Sequence, residues 1–168
     1  MARRLRHWLG TLTSLVVLPG IIGVLLPWLI TRWDVADWGI MQPLAMGLAY
    51  VLIIGGAWFL THSYVRFAGE GAGTPSPLVP AEQLVVGGAY RFVRNPMYLA
   101  IFAVLAGQVL FFGSLWLVLY TIVIVIASVL FVRFYEEPRL ERRFGEQYRR
   151  YREAVPAWWP RATPAHVN

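Results

Sequence analysis

Four long apolar runs, at residues 9–30, 43–62, 97–113 and 115–134, restrict this chain to a small set of folds. Each run approaches the roughly 20 residues that a helix needs to cross the hydrocarbon core of a bilayer, although the third run is short. None of them alternates apolar and polar positions as a membrane-spanning strand does. Across the chain 58% of residues are hydrophobic and only 14% are charged, unlike the balance of a water-soluble domain. The sequence therefore predicts an all-α, polytopic membrane protein with about four transmembrane helices.

Arginines near the ends of the runs predict the orientation of the helices, because positive residues accumulate in cytoplasmic segments. Three arginines lie within residues 3–6, three within residues 63–96 and eight within residues 133–161. The first connecting loop holds only Arg32 and two aspartates. We therefore expect both termini and the loop at 63–96 to face the cytoplasm, with the protein in the cell (inner) membrane. This topology and contact with anionic lipid explain the net charge of +6 without a nucleic-acid partner.

Several chemistries are excluded by the residue types that the chain lacks. There is no cysteine, so disulfides, thiolate nucleophiles and cysteine-ligated metals are excluded. All 15 basic residues are arginine, so no lysine is present to form a Schiff base. The three histidines, His7, His62 and His166, are scattered along the chain, and the sequence predicts no metal site. For His62 we expect a position at the membrane interface rather than a substrate contact.

A polar motif stands where the loop at 63–96 meets the third apolar run. Asn95 and Pro96 predict a helix start, with asparagine as the N-cap and proline at the first helical position. The N-terminus of a helix binds anions, and Arg94 stands directly beside it. Tyr90, Arg94 and Tyr98 are spaced by four, so a helix that continued upstream would present them on one face. The motif therefore predicts a site for a carboxylate.

A second polar group, Glu136 and Glu137, follows the fourth apolar run. Two acids at a helix C-terminus oppose the helix dipole and repel each other. Pro138 biases Glu137 away from helical geometry, which predicts a bend at this point. Solvated charges at the end of a span are the simpler interpretation. The unfavourable placement favours instead a cationic or hydroxyl-rich partner.

Residues 139–155 predict a cytoplasmic amphipathic helix after the last span. The apolar residues that share one stripe at helical spacing are Leu140, Phe144, Tyr148, Tyr151 and Val155. A helix that lies on the membrane surface accounts for this stripe. Gly145 inside it costs about 1 kcal/mol relative to alanine, so we expect a ligand or another helix to approach closely there.

Two motifs, at residues 88–98 and 136–151, together resemble the isoprenylcysteine carboxyl methyltransferase family, which belongs with the integral membrane phospholipid methyltransferases. The first reads Gly-Ala-Tyr-Arg-Phe-Val-Arg-Asn-Pro-Met-Tyr, and the second begins Glu-Glu-Pro-Arg-Leu-Glu-Arg-Arg-Phe-Gly. The glycine- and proline-rich connection at 69–80 also looks like that of small bacterial members. The resemblance implies one membrane-embedded methyltransferase domain over residues 1–168, with N-terminal helices at 1–65 and a cofactor-binding core at 70–160.

The same resemblance implies methyl transfer from S-adenosylmethionine to a lipophilic acceptor, in a cytosol-facing pocket covered by the C-terminal segment. The cofactor-binding residues are then expected to be Tyr90, Arg94, Asn95, Pro96, Tyr98, Glu136, Glu137 and Tyr148. Arg94 and Glu137 are the expected catalytic residues. Arginine and a helix N-terminus suit the carboxylate of the cofactor, and glutamates suit its ammonium or ribose hydroxyls. Tyrosines suit the adenine or the sulfonium.

The sequence departs from the family pattern at two positions. Many members have histidine at the position of Asn95 and glycine at the position of Ala100. Asn95 can hydrogen-bond but cannot take up a proton near neutral pH, which argues against a mechanism that needs a histidine there.

The acceptor is expected to be an isoprenylcysteine-like carboxylate or another lipid substrate. The alternatives are an NADPH-dependent membrane reductase of the sterol type and a non-catalytic membrane scaffold.

Overall fold

The computed structural model describes residue 17, residues 19–70 and residues 83–165. In these ranges the regular elements are all helical. They are α1 (Ile21–Thr31), α2 (Gln42–Glu70), α3 (Pro96–Phe112), α4 (Leu115–Phe131), α5 (Glu137–Phe144) and α6 (Glu146–Ala154). Two short 3-10 turns, Gly39–Met41 and Gly88–Arg91, precede α2 and α3 respectively. Most of the connection predicted at 69–80, and the arginines at residues 3–6, lie outside the described residues.

Two of the described helical segments, Gly39–Phe67 and Leu115–Phe144, are long and apolar enough to cross a membrane. Only 17% and 11% of their most apolar windows are buried inside the protein, so most of this apolar surface faces outward. A water-soluble protein would bury such helices, whereas a bilayer accommodates them. The protein is therefore a helical membrane protein. The shorter apolar helices α1 and α3 leave the count of four spans, the orientation and the choice of membrane as predictions.

The closest packing in the described chain is between α2 and α3, and two glycines make it possible. A Cβ on Gly56 would come within 2.8 Å of the Ala100 carbonyl oxygen and of the Val104 side chain. A Cβ on Gly107 would come within 2.9 Å of the Ala49 carbonyl oxygen. Small residues let the backbones of membrane helices approach, and the gain is van der Waals contact. This interface holds α3, and so the start of α3, in a defined position.

Two of the apolar helical segments, Ile21–Thr31 and Leu115–Phe144, each contain a π turn that ends two residues before a proline. In α1 the turn is Ile21–Leu25, and the Leu26 N–H donates to the Ile21 carbonyl oxygen immediately before Pro27. Because proline has no N–H, the carbonyls of residues 22 and 23 lose their donor within the helix. The Tyr120 hydroxyl donates to the first at 2.7 Å, and Gln108 Nε2 donates to the second at 2.6 Å. Pro27 therefore accounts for the π turn in α1.

A second π turn joins α4 to α5, and the prediction that Glu137 departs from helical geometry is wrong. Glu137 has helical angles of φ −60° and ψ −46°, and its N–H donates to the Val132 carbonyl oxygen. The π turn Val132–Glu136 takes up one extra residue before Pro138, so the helix continues to Phe144 instead of ending at the glutamates. Glu136 and Glu137 therefore lie inside a continuous helical segment.

The amphipathic helix predicted at 139–155 is two helices. Gly145 has φ +54° and ψ −124°, a conformation that side chains with a Cβ rarely adopt, and it separates α5 from α6. A Cβ on Gly145 would meet no atom within 4 Å, so no other helix of the described chain approaches it closely. Gly145 instead allows the backbone turn between α5 and α6. The apolar stripe nevertheless packs inward, because Tyr148, Tyr151 and Val155 are buried.

The segment after α6 returns across the loop that precedes α3. The backbone N–H groups of Arg94 and Arg161 donate to the carbonyl oxygens of Pro156 and Phe92, each at 3.0 Å. The N–H of Ala165 donates to the Arg91 carbonyl oxygen at 2.9 Å. We call residues 155–165 the C-terminal strap. It holds the loop at 91–95 against α6.

Candidate active site

The central contact of the candidate site is an ion pair between the two sequence motifs. Arg94 Nη1 lies 2.7 Å from Glu137 Oε1, and the two side chains are only 11% and 19% exposed. Arg94 also donates to the Tyr148 hydroxyl at 3.3 Å. Charge-assisted hydrogen bonds away from water are strong and fix geometry. The loop before α3, the start of α5 and the first turn of α6 are therefore tied together at this arginine.

A second contact joins α3 to the helical segment that follows α4. The Tyr98 hydroxyl donates to Glu136 Oε2 at 3.0 Å. The Tyr98 ring lies edge-on to the ring of Trp158 in the C-terminal strap, with centroids 6.1 Å apart. Trp158 is also stacked on Phe102 at 6.0 Å. The Glu136 carboxylate thus accepts a hydrogen bond from Tyr98, whose ring lies beside other aromatic rings. The Glu137 carboxylate instead pairs with the Arg94 guanidinium.

Asn95 and Pro96 occupy the predicted positions at the start of α3, but the asparagine does not act as predicted. Pro96 is the first helical residue, and the Asn95 carbonyl oxygen accepts from the Leu99 N–H at 3.2 Å. The Asn95 side chain makes no capping bond and instead donates from Nδ2 to the Ala157 carbonyl oxygen at 3.1 Å. The Asn95 side chain therefore binds the C-terminal strap and does not cap α3.

Tyr90 lies in a different environment from the one its spacing predicts. It belongs to the 3-10 turn, and Arg94 lies outside any helix, so no helix presents Tyr90, Arg94 and Tyr98 on one face. The carbonyl oxygen of Tyr90 accepts from the Tyr151 hydroxyl at 2.8 Å. Burial, followed by the nearby Tyr151 and Glu136, raises the pKa of Tyr90 well above its usual value. Tyr90 is part of the packed core beneath the strap.

Tyr148 is a neutral hydroxyl in this cluster. Burial and the Glu137 carboxylate raise its pKa to about 12, against the opposing effect of Arg94. The hydroxyl therefore stays protonated at physiological pH and can donate one hydrogen bond while it accepts one from Arg94. Trp158, Tyr151 and the strap carbonyls were not predicted as parts of the site. The apolar stripe was the available signal for Tyr151, and an aromatic pair near the end of the chain was the signal for Trp158.

One polar atom of the cluster has no partner. Among the described residues, Arg94 Nε is buried and makes no hydrogen bond. A buried donor without an acceptor costs about 1–3 kcal/mol, so such atoms usually have a bound acceptor. Arg94 Nε can therefore donate a hydrogen bond to a bound ligand, while Arg94 Nη1 pairs with Glu137. No group of three or more histidine, aspartate or glutamate side chains that could hold a metal occurs within the described ranges.

A family model described as phospholipid methyltransferase matches residues 44–147, which is more than half of the 168-residue chain. The match begins in α2, includes both members of the ion pair and ends one residue before Tyr148. No curated protein and no solved structure is significantly similar to the chain. The matched region contains Arg94, Glu136 and Glu137 and most of both long apolar helices. The chain belongs to the phospholipid methyltransferase family, whose members are membrane methyltransferases of lipid substrates.

Proposed function

We propose that this protein transfers the methyl group of S-adenosylmethionine to a lipophilic acceptor. The observation that carries the proposal is the buried Arg94, which is paired with Glu137 and keeps an unpartnered Nε donor. Family membership supports methyl transfer over the sterol-type reductase and the non-catalytic scaffold. The isoprenylcysteine-like carboxylate is the acceptor that we propose first, and other lipid carboxylates form the same chemical class.

The residues of the cluster fit the groups of S-adenosylmethionine. Arg94 Nε and the nearby start of α3 suit its carboxylate, because a guanidinium and free backbone N–H groups both attract anions. Glu136 and Glu137 suit its ammonium or its ribose hydroxyls. Tyr98 and Trp158 supply aromatic surface, and an aromatic face attracts a sulfonium by cation–π interaction. When bound, the cofactor supplies a methyl group on a positively charged sulfur.

The chain's own contribution to the reaction is orientation and the exclusion of water. Methyl transfer needs the nucleophile, the methyl carbon and the sulfur in line, and holding reactants in that geometry removes most of the entropic barrier. A carboxylate acceptor is already ionised, so no general base is required. Apolar walls then leave the carboxylate poorly hydrated and more reactive. Arg94 and Glu137 hold each other in place, which fixes the groups that orient the donor.

Binding of labelled ligands to the purified protein tests the proposal. We expect S-adenosylmethionine to bind and Arg94→Ala to weaken binding at least tenfold, or about 1.4 kcal/mol. The matched control is Arg149→Ala, because Arg149 is an exposed arginine that pairs only with Glu146 on α6 among the described residues. Binding of NADPH but not of S-adenosylmethionine would assign the protein to the reductases. Binding of neither nucleotide would favour the scaffold.

Transfer of the labelled methyl group then identifies the acceptor class. The protein is incubated with labelled S-adenosylmethionine and either a prenylated cysteine or a phospholipid extract, and the organic phase is counted. A product that loses its label in mild base is a methyl ester, which is the result expected for a carboxylate acceptor. A base-stable label on a phospholipid nitrogen would replace the carboxylate with an amine acceptor while leaving the methyl donor unchanged.

A further inference from the structure

The C-terminal strap carries two consecutive tryptophans whose side chains have opposite surroundings. The Trp158 ring is stacked on Phe102 with centroids 6.0 Å apart, and it lies edge-on to Tyr98 at 6.1 Å. The next residue, Trp159, is 83% exposed. An indole has a large apolar area, so its transfer from water to an apolar or interfacial environment is favourable. The strap thus presents one indole to the site and the other to the surroundings of the protein.

The level of the site in the bilayer follows from the long helical segment Leu115–Phe144. Near its start Trp116 is 72% exposed, and Arg133 is exposed further along. At about 1.5 Å per residue the distance between these two residues along the axis is roughly 26 Å. The hydrocarbon core of a bilayer is about 30 Å thick, and tryptophan and arginine are typical of its two boundaries. Arg133 therefore marks one boundary, and Glu136 lies within one helical turn of it.

The strap tryptophans lie at the level of this boundary. Tyr98, which contacts Trp158, donates to Glu136 at 3.0 Å. Tyr135, which precedes Glu136, is 46% exposed on the outside of the helix. Exposed rings with a polar tip are accommodated where the headgroups meet the acyl chains. Trp159 follows Trp158 directly and is therefore placed to enter the same interface.

The strap can open while the helices stay packed. It contains no helix or strand, and its residues 159–163 are all exposed. Its bonds to the loop before α3 include those donated by the Arg161 and Ala165 N–H groups, at 3.0 and 2.9 Å. The Ala157 carbonyl oxygen accepts from Asn95 Nδ2 at 3.1 Å. A segment with exposed backbone hydrogen bonds and few buried apolar contacts opens locally at a lower free-energy cost than a packed helix.

We propose that the strap is a lid over the Tyr98–Glu136 contact, and that entry of Trp159 into the bilayer interface keeps this lid closed. With Trp159 in the interface, Trp158 stays against Tyr98. When Trp159 leaves the interface, the strap detaches and uncovers the carboxylate. The lid follows the region 44–147 that the family model matches. Its existence is independent of any ligand, whereas its control of S-adenosylmethionine release rests on the proposed function.

Hydrogen exchange in lipid nanodiscs tests the lid without a cofactor. The readout is the exchange rate of the Arg161 and Ala165 amides, which bond to the loop before α3. We expect Trp159→Ser to raise both rates at least fivefold, because the strap loses its membrane anchor. Trp159→Tyr keeps an interfacial aromatic ring and should keep the wild-type rates. Because Trp159 is largely exposed, neither variant removes a packing contact of the core.

The matched control is Trp116→Ser, since Trp116 is also an exposed tryptophan but lies at the other end of the long helical segment. Its amide exchange in the strap should equal that of the wild type. Equal rates in the wild type and Trp159→Ser, or an equal rise in Trp116→Ser, would overturn the lid.

Quenching by brominated phosphatidylcholine locates Trp159. The chain has eight tryptophans, so the contribution of Trp159 is the difference in fluorescence between the wild type and Trp159→Phe. We expect bromines in the upper part of the acyl chain to quench this difference more than bromines near the chain end. A difference that neither lipid quenches would place Trp159 in water, and stronger quenching by the deep bromines would place it in the hydrocarbon core. Either result would contradict an interfacial anchor.

Dissociation of labelled S-adenosylmethionine from the protein in nanodiscs tests the control of release. We expect the dissociation rate constant of Trp159→Ser to exceed that of the wild type at least fivefold. An unchanged rate constant together with faster amide exchange would show that the strap opens without controlling the ligand, and would overturn this role. A wild-type protein that binds no S-adenosylmethionine would refute the proposed function instead, and amide exchange would still decide whether the strap is a lid.

Discussion

At the scale of single residues, the adjacent Glu136 and Glu137 contact different partners. Glu137 meets a guanidinium at 2.7 Å, whereas Glu136 meets the Tyr98 hydroxyl at 3.0 Å. Adjacent residues on a helix point about 100° apart, so neighbouring acids reach different groups. Their mutual repulsion is offset because each has its own donor. In the proposed function the two carboxylates would therefore contact different groups of the methyl donor.

The first prediction concerns Glu137. Glu137→Gln keeps the shape of the side chain and removes the charge that orients Arg94. We expect the affinity for S-adenosylmethionine, measured by calorimetry in detergent, to fall at least tenfold, or about 1.4 kcal/mol. Glu146→Gln is the control, because the Glu146 side chain is 62% exposed and pairs with arginines on α6. Unchanged affinity in Glu137→Gln would place the methyl donor elsewhere.

The second prediction follows from the raised pKa of Tyr148, which is about 12 instead of 10. The unfolded chain releases this proton at lower pH than the folded protein does. The contribution to stability is therefore complete below pH 10 and is lost as the pH rises to about 12. Tyr148→Phe cannot ionise, so its thermal midpoint should fall less steeply than that of the wild type over this window.

Tyr50→Phe is the control for the second prediction, because Tyr50 is half-exposed on α2 and far in sequence from the cluster. Its thermal midpoint should follow the wild-type curve. Parallel curves for the wild type and Tyr148→Phe between pH 10 and about 12 would show that the Tyr148 hydroxyl is not buried beside Glu137.

At the scale of helices, glycine and proline decide where elements stop and how they turn. Pro96 starts α3 as predicted, and Gly113 ends it with φ +60°. Pro27 and Pro138, which lie inside helical segments, do not end them, because a π turn before each one accommodates the missing N–H. Proline in a membrane helix is tolerated when other groups satisfy the freed carbonyls. Local sequence rules alone would have ended the last long helix eight residues too early.

The third prediction concerns the junction between α5 and α6. Gly145→Ala places a Cβ in a backbone conformation that only glycine adopts easily, and we expect it to destabilise the protein by about 1–3 kcal/mol. Gly47→Ala is the control, because a Cβ at either glycine meets no atom within 4 Å but Gly47 lies within α2. Unfolding midpoints in detergent compare the two. Equal midpoints for both variants would contradict the observed backbone angles at Gly145.

At the scale of the whole molecule, the contact between α2 and α3 positions the site. The site residues Arg94, Asn95 and Tyr98 lie at the start of α3, and α3 makes its closest contacts with α2 through Gly56 and Gly107. The C-terminal strap then fastens the loop before α3 from the other side. The ion pair between Arg94 and Glu137 depends on both contacts, because its members come from segments that are far apart in sequence.

The fourth prediction compares two adjacent glycines of α2. Gly56→Ala brings a Cβ within 2.8 Å of the Ala100 backbone, so α2 and α3 must separate. We expect a loss of stability of about 1–3 kcal/mol together with weaker binding of S-adenosylmethionine. Gly55→Ala is the control, because a Cβ there meets no atom within 4 Å. It should be neutral or slightly stabilising, and an equal loss in both variants would contradict the close packing at Gly56.

Much of the helical layout could be predicted from hydropathy, and its errors have one cause. The third run, 97–113, differs from α3 by one residue at each end. The second run ends at residue 62, but α2 continues to Glu70, so Arg66 lies in a helix and not in a loop. Hydropathy marks the part of a helix that suits a bilayer, whereas the backbone hydrogen bonds that define the helix continue into polar residues.

The sequence by itself determined that the chain forms apolar helices, that one of them begins at Pro96, and that arginine and glutamate stand beside two of the apolar runs. These properties depend on composition and on neighbouring residues. Only the tertiary structure decided that Arg94 meets Glu137, that Tyr90 is buried in the core and that Asn95 bonds to the strap. Those contacts join segments distant in sequence, and helix packing sets them, which no local pattern records.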